Sequence, residues 1–247
     1  HVSRGRQARL ESGPRPTPGF FLVHRLDQET SGCLLVAKSA ESLRRLVQEF
    51  SERRVSKRYW ALVVGEVPWK ERVVKRPIKY VRAEAEPRGR ASEPAWVRKK
   101  KSPRLRGVKK GVAGEEGGEG KAAETRFRVL ERFRGYTLLD CEPLTGRTHQ
   151  IRVHLLAEGY PLAYDPLYGR RSPLRFVEFS RAAEDSREGE EVVLNRLPLH
   201  ARKLGFAHPV SGERVQVEAP LPRDLKEFLR ILKKYRPKEA ASKDRRW

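Results

Sequence analysis

Methionine is absent from this 247-residue chain, even at position 1, and cysteine occurs only twice, at Cys33 and Cys141. A chain without its initiating residue reads as a fragment or processed form with something missing before His1. Two cysteines cannot build the multi-bridge framework of a small secreted protein. Each lies in an apolar stretch that reads as a strand, so both are expected to be free, buried thiols in a reducing, cytoplasmic compartment. Long apolar runs are missing as well. None approaches the roughly 18 residues that a membrane-spanning helix needs, and no signal peptide is visible. The one glycine-rich run, Gly114 to Gly120, is acidic and has no Lys-Ser/Thr after it, which excludes a phosphate-binding loop. Ser31-Gly32 lacks the Gly-x-Ser-x-Gly elbow of the hydrolases. Of the six histidines, His149 and His154 are five apart and would point about 140° away from each other on a helix, so they cannot chelate one metal. Neither a metal nor a cofactor is expected.

Negative charge is in short supply. Against 54 Lys+Arg stand 32 Asp+Glu, giving a formal net charge of +22. Such an excess attracts polyanions, and phosphate neutralisation with release of counterions is its usual use. A nucleic-acid partner is favoured over an anionic membrane surface. The 38% hydrophobic content is enough for a core.

Residues 1–18, rich in Arg, Gly and Pro, are expected to be poorly ordered. Phe20–Leu26 and Cys33–Ala37 have the length of buried strands. After Ser39, a candidate N-cap, Leu43, Leu46, Val47 and Phe50 recur at helical spacing. Residues 58–67 read as a central strand. The stretch 83–122 holds Arg98, Lys99, Lys100 and Lys101 with few large apolar side chains, and reads as a flexible basic insertion. It is either a solvated linker or an electrostatic arm touching RNA backbone. Alternation returns at Thr125, and Arg134-Gly135 suits a turn before the strand Tyr136–Cys141. Thr148–Glu158 reads as a helix with Ile151, Leu155 and Leu156 on its apolar side and Gly159 just past its end. Strand-like pieces fill 197–220, Leu225, Phe228, Leu229 and Leu232 mark a last amphipathic helix, and a charged tail follows over 237–247. The fold class is α+β, with a mixed, largely antiparallel sheet and flanking helices.

Polar residues crowd into apolar surroundings at two places, His24–Gly32 and Thr145–His154. A carboxylate such as Asp27, lodged between strands, needs a counterion, because an isolated buried charge is costly. Arg152 or Arg147 would supply it. By charge counting alone the pair reads as a structural ion pair tying loop to helix.

His24-Arg25-Leu26-Asp27, followed by Thr30-Ser31-Gly32 and Leu34-Leu35-Val36-Ala37-Lys38, closely resembles the catalytic motif of the RluA-type pseudouridine synthases. Pro143 to His154 resembles that family's second signature. Lys57-Arg58-Tyr59-Trp60-Ala61 resembles its intervening strand, and Leu199-His200-Ala201 with Phe206-Ala207-His208-Pro209 its C-terminal one. Each motif alone is weak, but four occur in the family's order. The family's Lys-Pro strand ahead of the Asp motif is not found, in keeping with a missing N-terminal part, and the 83–122 connection is longer than usual.

The resemblance implies a catalytic domain over 19–236 that isomerises uridine in structured RNA, large-subunit rRNA first and tRNA next, as a monomer without a cofactor. It implies Asp27 as the covalent nucleophile, Arg152 as its cation, and Tyr59 as an aromatic that stacks on the uracil and offers its hydroxyl as a base. It assigns Arg25 to filling the gap left by the flipped uridine. Thr30, Arg147, His149 and Gln150 are expected to contact RNA or to support residues that do, and His24, His200 and His208 to be structural. The competing reading is a non-catalytic RNA-binding or ribosome-assembly module of the same fold.

Overall fold

A computed structural model describes residues 19–82, 108–112, 120–180, 183 and 186–238. Three two-residue strands, Phe21–Leu22 (β1), Ser31–Gly32 (β2) and Val36–Ala37 (β3), precede helix Ala40–Ser51 (α1). Strands Ser56–Val64 (β4), Glu71–Val74 (β5), Ile78–Arg82 (β6), Val108–Val112 (β7), Thr125–Phe133 (β8) and Tyr136–Pro143 (β9) lead to helix Gln150–Ala157 (α2). Leu174–Arg175 (β10), Val192–Leu194 (β11), Leu199–Ala207 (β12) and Arg214–Glu218 (β13) follow, and helix Arg223–Tyr235 (α3) comes last.

The main sheet runs β13-β12-β4-β9-β8-β5 with every neighbour antiparallel. The short β2 joins the β13 edge of β12 in parallel, which makes the sheet mixed. The α+β class with a largely antiparallel sheet is what the sequence pattern implies.

Period-two alternation sorts β4 onto two faces. Ala61 and Val63 enter one core with Leu139, Cys141, Ile151 and Leu155, under α2. Leu62 enters the opposite core with Leu138, Leu225, Phe228 and Leu232, under α3. Lys57 and Tyr59 share the parity of Ala61, whereas Arg58 reaches across the other face to Asp140 at 2.8 Å. Helix α1 packs Leu46 against Val55, Leu204 and Phe206, and the Ser39 hydroxyl caps it by accepting from the Ser42 amide at 3.1 Å.

The structure differs from the sequence reading in several places. Phe20–Leu26 and Cys33–Ala37 are not two buried strands. Only β1 and β3 pair, and Phe20 and Leu22 are exposed. The chain between them bends into a loop because its polar groups satisfy one another locally: the Thr30 amide donates to the Asp27 carbonyl, and the Leu35 amide to His24 Nε2, each at 3.0 Å. Val47, expected in the core, is exposed. Helix α2 is not amphipathic. It is buried continuously from Gln150 to Leu155, held between the sheet and a smaller cluster of Ile78, Ala123, Val153 and Tyr168, and it is Leu156 that faces outward. Within 83–122, Val108–Val112 pairs with Ile78–Arg82, and Lys121 bridges Ile78, so the part of this stretch that is described is ladder rather than flexible arm. Arg98, Lys99, Lys100 and Lys101 lie outside the described residues. Among the described residues no helix is long and apolar enough to cross a membrane.

Candidate active site

The Asp27 loop is fastened to strand β12 from more than 160 residues away. Ser31 and Gly32 pair with His200 and Ala201, Ser31 Oγ lies 2.9 Å from His200 Nδ1, and the Cys33 amide donates to the Ala201 carbonyl at 2.8 Å. Gly32 is required here: its φ is +116°, and a Cβ would stand 2.2 Å from the Ala201 carbonyl oxygen. On the other side, Arg196 donates to the carbonyl of Glu29, which itself adopts φ +69°. Backbone and side-chain bonds thus aim Asp27 inward.

Opposite Asp27 stands the buried guanidinium of Arg152, on α2. Its Nε and Nη2 each donate to Asp165 at 2.8 Å, a fork-to-fork pair. Its remaining Nη1 reaches Asp27 at 3.5 Å. The bidentate grip of Arg152 is therefore taken by Asp165, which also accepts from the amides of Leu167 and Tyr168. Burial opposes the charge on Arg152, but the bonds to Asp165, then the charges of Asp165 and Asp27, hold its pKa above the usual value. Arg147, the alternative counterion, turns away and donates to the Ala122 carbonyl.

His149 sits at the N-cap of α2 in the left-handed region, φ 58°. Its Nδ1 is 2.8 Å from the Tyr168 hydroxyl, and its Nε2 is 4.0 Å from Asp27. Arg152 lies over the Tyr168 ring, 4.9 Å from the centroid. Asp27 thus faces two cationic or hydrogen-bonding groups, each braced from behind by a residue of the 165–168 turn. Gln150 is buried with its amide fully engaged. It accepts from Thr145 Oγ1 and the Arg147 amide and donates to the Glu124 carbonyl and Thr125 Oγ1, so it fixes the 145–150 loop and leaves nothing for RNA.

These elements enclose a cleft of about 310 Å³, at the small end of the roughly 300–1,000 Å³ usual for small-molecule sites. Asp27, Arg25, Thr30, Lys57, Tyr59 and His149 all line it, with Ile151 and Leu199 as apolar floor. Arg25 is exposed at its mouth. The Tyr59 phenol is pushed above its ordinary pKa by burial and then by the charge of Asp27, so the ring presents a neutral hydroxyl. Thr30 Oγ1 is buried without a hydrogen-bond partner among the described residues. His24, stacked on Phe50, and His200 are held by burial below the usual histidine range. Among the described residues no group of three or more His, Cys, Asp or Glu is placed to hold a metal ion.

Asp165 and Tyr168 escaped the sequence reading. The signal that could have found Asp165 is the arginine in the apolar stretch of α2, whose burial calls for a carboxylate held against it; nothing in the sequence singles out Tyr168.

The sequence profile described as RNA pseudouridylate synthase matches residues 5–157, more than half of the chain, and the chain belongs to that family. Over 226 residues, 90% of its length, it is 40% identical to "Ribosomal large subunit pseudouridine synthase C" of Escherichia coli (strain K12), covering 59% of that protein. It is 37% identical over 213 residues to "Uncharacterized RNA pseudouridine synthase YlyB" of Bacillus subtilis (strain 168), covering 86% of this chain and 56% of that one. The chain thus spans less than two thirds of the length of these curated relatives. The solved structure "Human RNA Pseudouridylate Synthase Domain Containing 1" is similar with a TM-score of 0.59 at 29% identity, over 85% of this chain and 74% of the other.

Proposed function

We propose that this chain converts uridine in RNA to pseudouridine, with Asp27 as the nucleophile. The carrying observation is that Asp27 is the one carboxylate among the described residues lining the cleft, with Tyr59 in the same lining and the Arg152 guanidinium 3.5 Å from it. The reaction breaks the N1–C1′ bond, turns the freed uracil, and joins C5 to C1′. The C5 proton leaves and N1 gains one, so the net change is an isomerisation. A covalent carboxylate adduct holds one half of the substrate while the other turns and splits one hard step into easier ones. Tyr59 stacks on the base and sets its plane. Arg152 orients the carboxylate, and Asp165 keeps Arg152 in place. Arg25, at the mouth of the cleft, fills the gap the uridine leaves.

The catalytic domain runs over 19–236. The Arg98–Lys101 cluster in its 83–122 insertion adds backbone contacts that carry no sequence information. Large-subunit rRNA is the substrate class favoured by the names of the relatives, with tRNA second, and the cytoplasm is where it meets them.

The test uses RNA transcripts carrying tritium at uridine C5, from which turnover releases label as the C5–H bond is lost. The chain should release tritium from an rRNA transcript, and Asp27→Asn should release none while still binding it. Release by the Asn variant at a comparable rate would overturn the nucleophile. Binding without release by the unaltered chain would leave an RNA-binding module.

A further inference from the structure

Lys57 is the second residue of strand β4, two before Tyr59, and projects from the same face. Its side chain is half-buried, and its single hydrogen bond among the described residues is a long one, 3.4 Å to the Thr145 carbonyl. It makes no ion pair with any described carboxylate. Its neighbours behave otherwise: Arg54 pairs with Glu49 and Glu52, and Arg58, one residue along, pairs with Asp140 through the opposite face. An ammonium taken out of water without an anion is costly, and burial lowers its pKa accordingly.

The position of Lys57 supplies a reason to keep such a group. The Asp27 cleft continues into a second groove, of about 520 Å³, that runs along the C-terminal end of α1 past Val47, Arg53 and Arg54. Phe50, Lys57, Pro143, Thr145, Gly146 and Arg147 wall both spaces, so Lys57 stands where one opens into the other. Among these walls Arg53 and Arg147 also lack a described carboxylate partner, and Gly146 offers no side chain to obstruct the passage.

We propose that Lys57 binds the RNA backbone phosphate adjoining the uridine held in the Asp27 cleft, at the point where the strand leaves that cleft for the groove beside α1. The assignment rests on the RNA reading above. It makes Lys57 a positioning group: the phosphate fixed there sets how deep the ribose sits against Asp27.

The test compares the chain with Lys57→Met, and with Lys57→Gln should the Met variant not fold, using two fluorescent dodecamers of oligouridylate. One carries ordinary phosphodiesters and the other uncharged methylphosphonates throughout. Removing one phosphate contact should flatten the slope of log affinity against log salt by about 0.7 on the charged oligomer. Lys57→Arg should keep the slope, and affinity for the neutral oligomer should be the same with and without Lys57. Because the free ammonium is half-buried without a described anion, Lys57→Met should melt at the same temperature as the original chain or higher. An unchanged slope, or equal weakening on both oligomers, would overturn the phosphate contact while leaving the RNA reading intact. Failure of the unaltered chain to bind either oligomer would overturn both.

Discussion

Asp165 grips Arg152 through two parallel 2.8 Å hydrogen bonds, and both side chains are almost wholly buried. The pair divides the labour of the site. Its strong electrostatic half is structural, and only the Nη1 end of the guanidinium is turned to Asp27, at 3.5 Å. Losing Asp27 therefore removes chemistry and leaves the guanidinium neutralised. Losing Asp165 strands a buried cation. Asp165→Asn should destabilise the fold by about 3–5 kcal/mol, as breaking a buried pair does, whereas Asp27→Asn should leave the denaturation midpoint nearly unchanged. Urea titrations of the two variants separate them, and equal losses would show that the pair is not the divider described.

Tyr59 is a neutral phenol in the resting site, because burial first and the Asp27 charge second hold its pKa above the ordinary 10. The raised value means the proton stays on throughout the neutral range. A pH–rate profile should show no gain from tyrosinate formation up to pH about 10. Tyr59→Phe should keep RNA affinity, since the ring still stacks, and lose roughly 10²-fold in turnover, the scale of a misplaced proton transfer. Tyr59→Ala should lose affinity too, by about 1–3 kcal/mol for the missing stack.

Thr30 carries a buried hydroxyl that bonds to nothing described in the chain, yet it lines the cleft. An unmade bond of this kind costs about 1–3 kcal/mol, and substrate can recover it. Thr30→Val, matched in shape, should melt at an equal or higher temperature while kcat/KM on RNA falls. A lower melting temperature with unaltered kinetics would mean that the hydroxyl serves the fold.

Gly32 tolerates no side chain. The substitution Gly32→Ala forces a Cβ against the Ala201 carbonyl at a positive φ, and the two penalties together come to roughly 2–6 kcal/mol. Activity should fall along with stability, because the same contact fixes the Asp27 loop. Full activity at reduced stability would show that the loop holds its shape without the β2–β12 pairing.

Much of the site was legible because its residues lie in short motifs whose polar character contradicts their apolar flanks. Asp27 and Tyr59 line one cleft and Arg152 reaches Asp27 at 3.5 Å, while the strands β4, β8 and β9 and helix α3 follow their hydrophobic periods. What escaped was set by contact rather than pattern. Tyr164-Asp165-Pro166 looks like any turn, and only the tertiary approach of Arg152 gives Asp165 its role. Gln150, expected either to contact RNA or to support residues that do, spends its whole amide on the loop beneath, which only the fold reveals. The 20–37 stretch carried enough apolar residues to imitate two strands, but local bonds from Thr30 and His24 bend it instead.

The seam between Ser31-Gly32 and His200-Ala201 also bears on how the molecule comes into being. A nascent chain emerges from the ribosome N-terminal end first, so Asp27 is synthesised long before the strand that anchors it. Until β12 pairs with β4 and β2, the Asp27 motif has no far wall. The Asp27 loop should therefore take its shape only after residues 199–207 have been made, and a product terminated before them would carry Asp27, Tyr59 and Arg152 without the strand that fastens the loop.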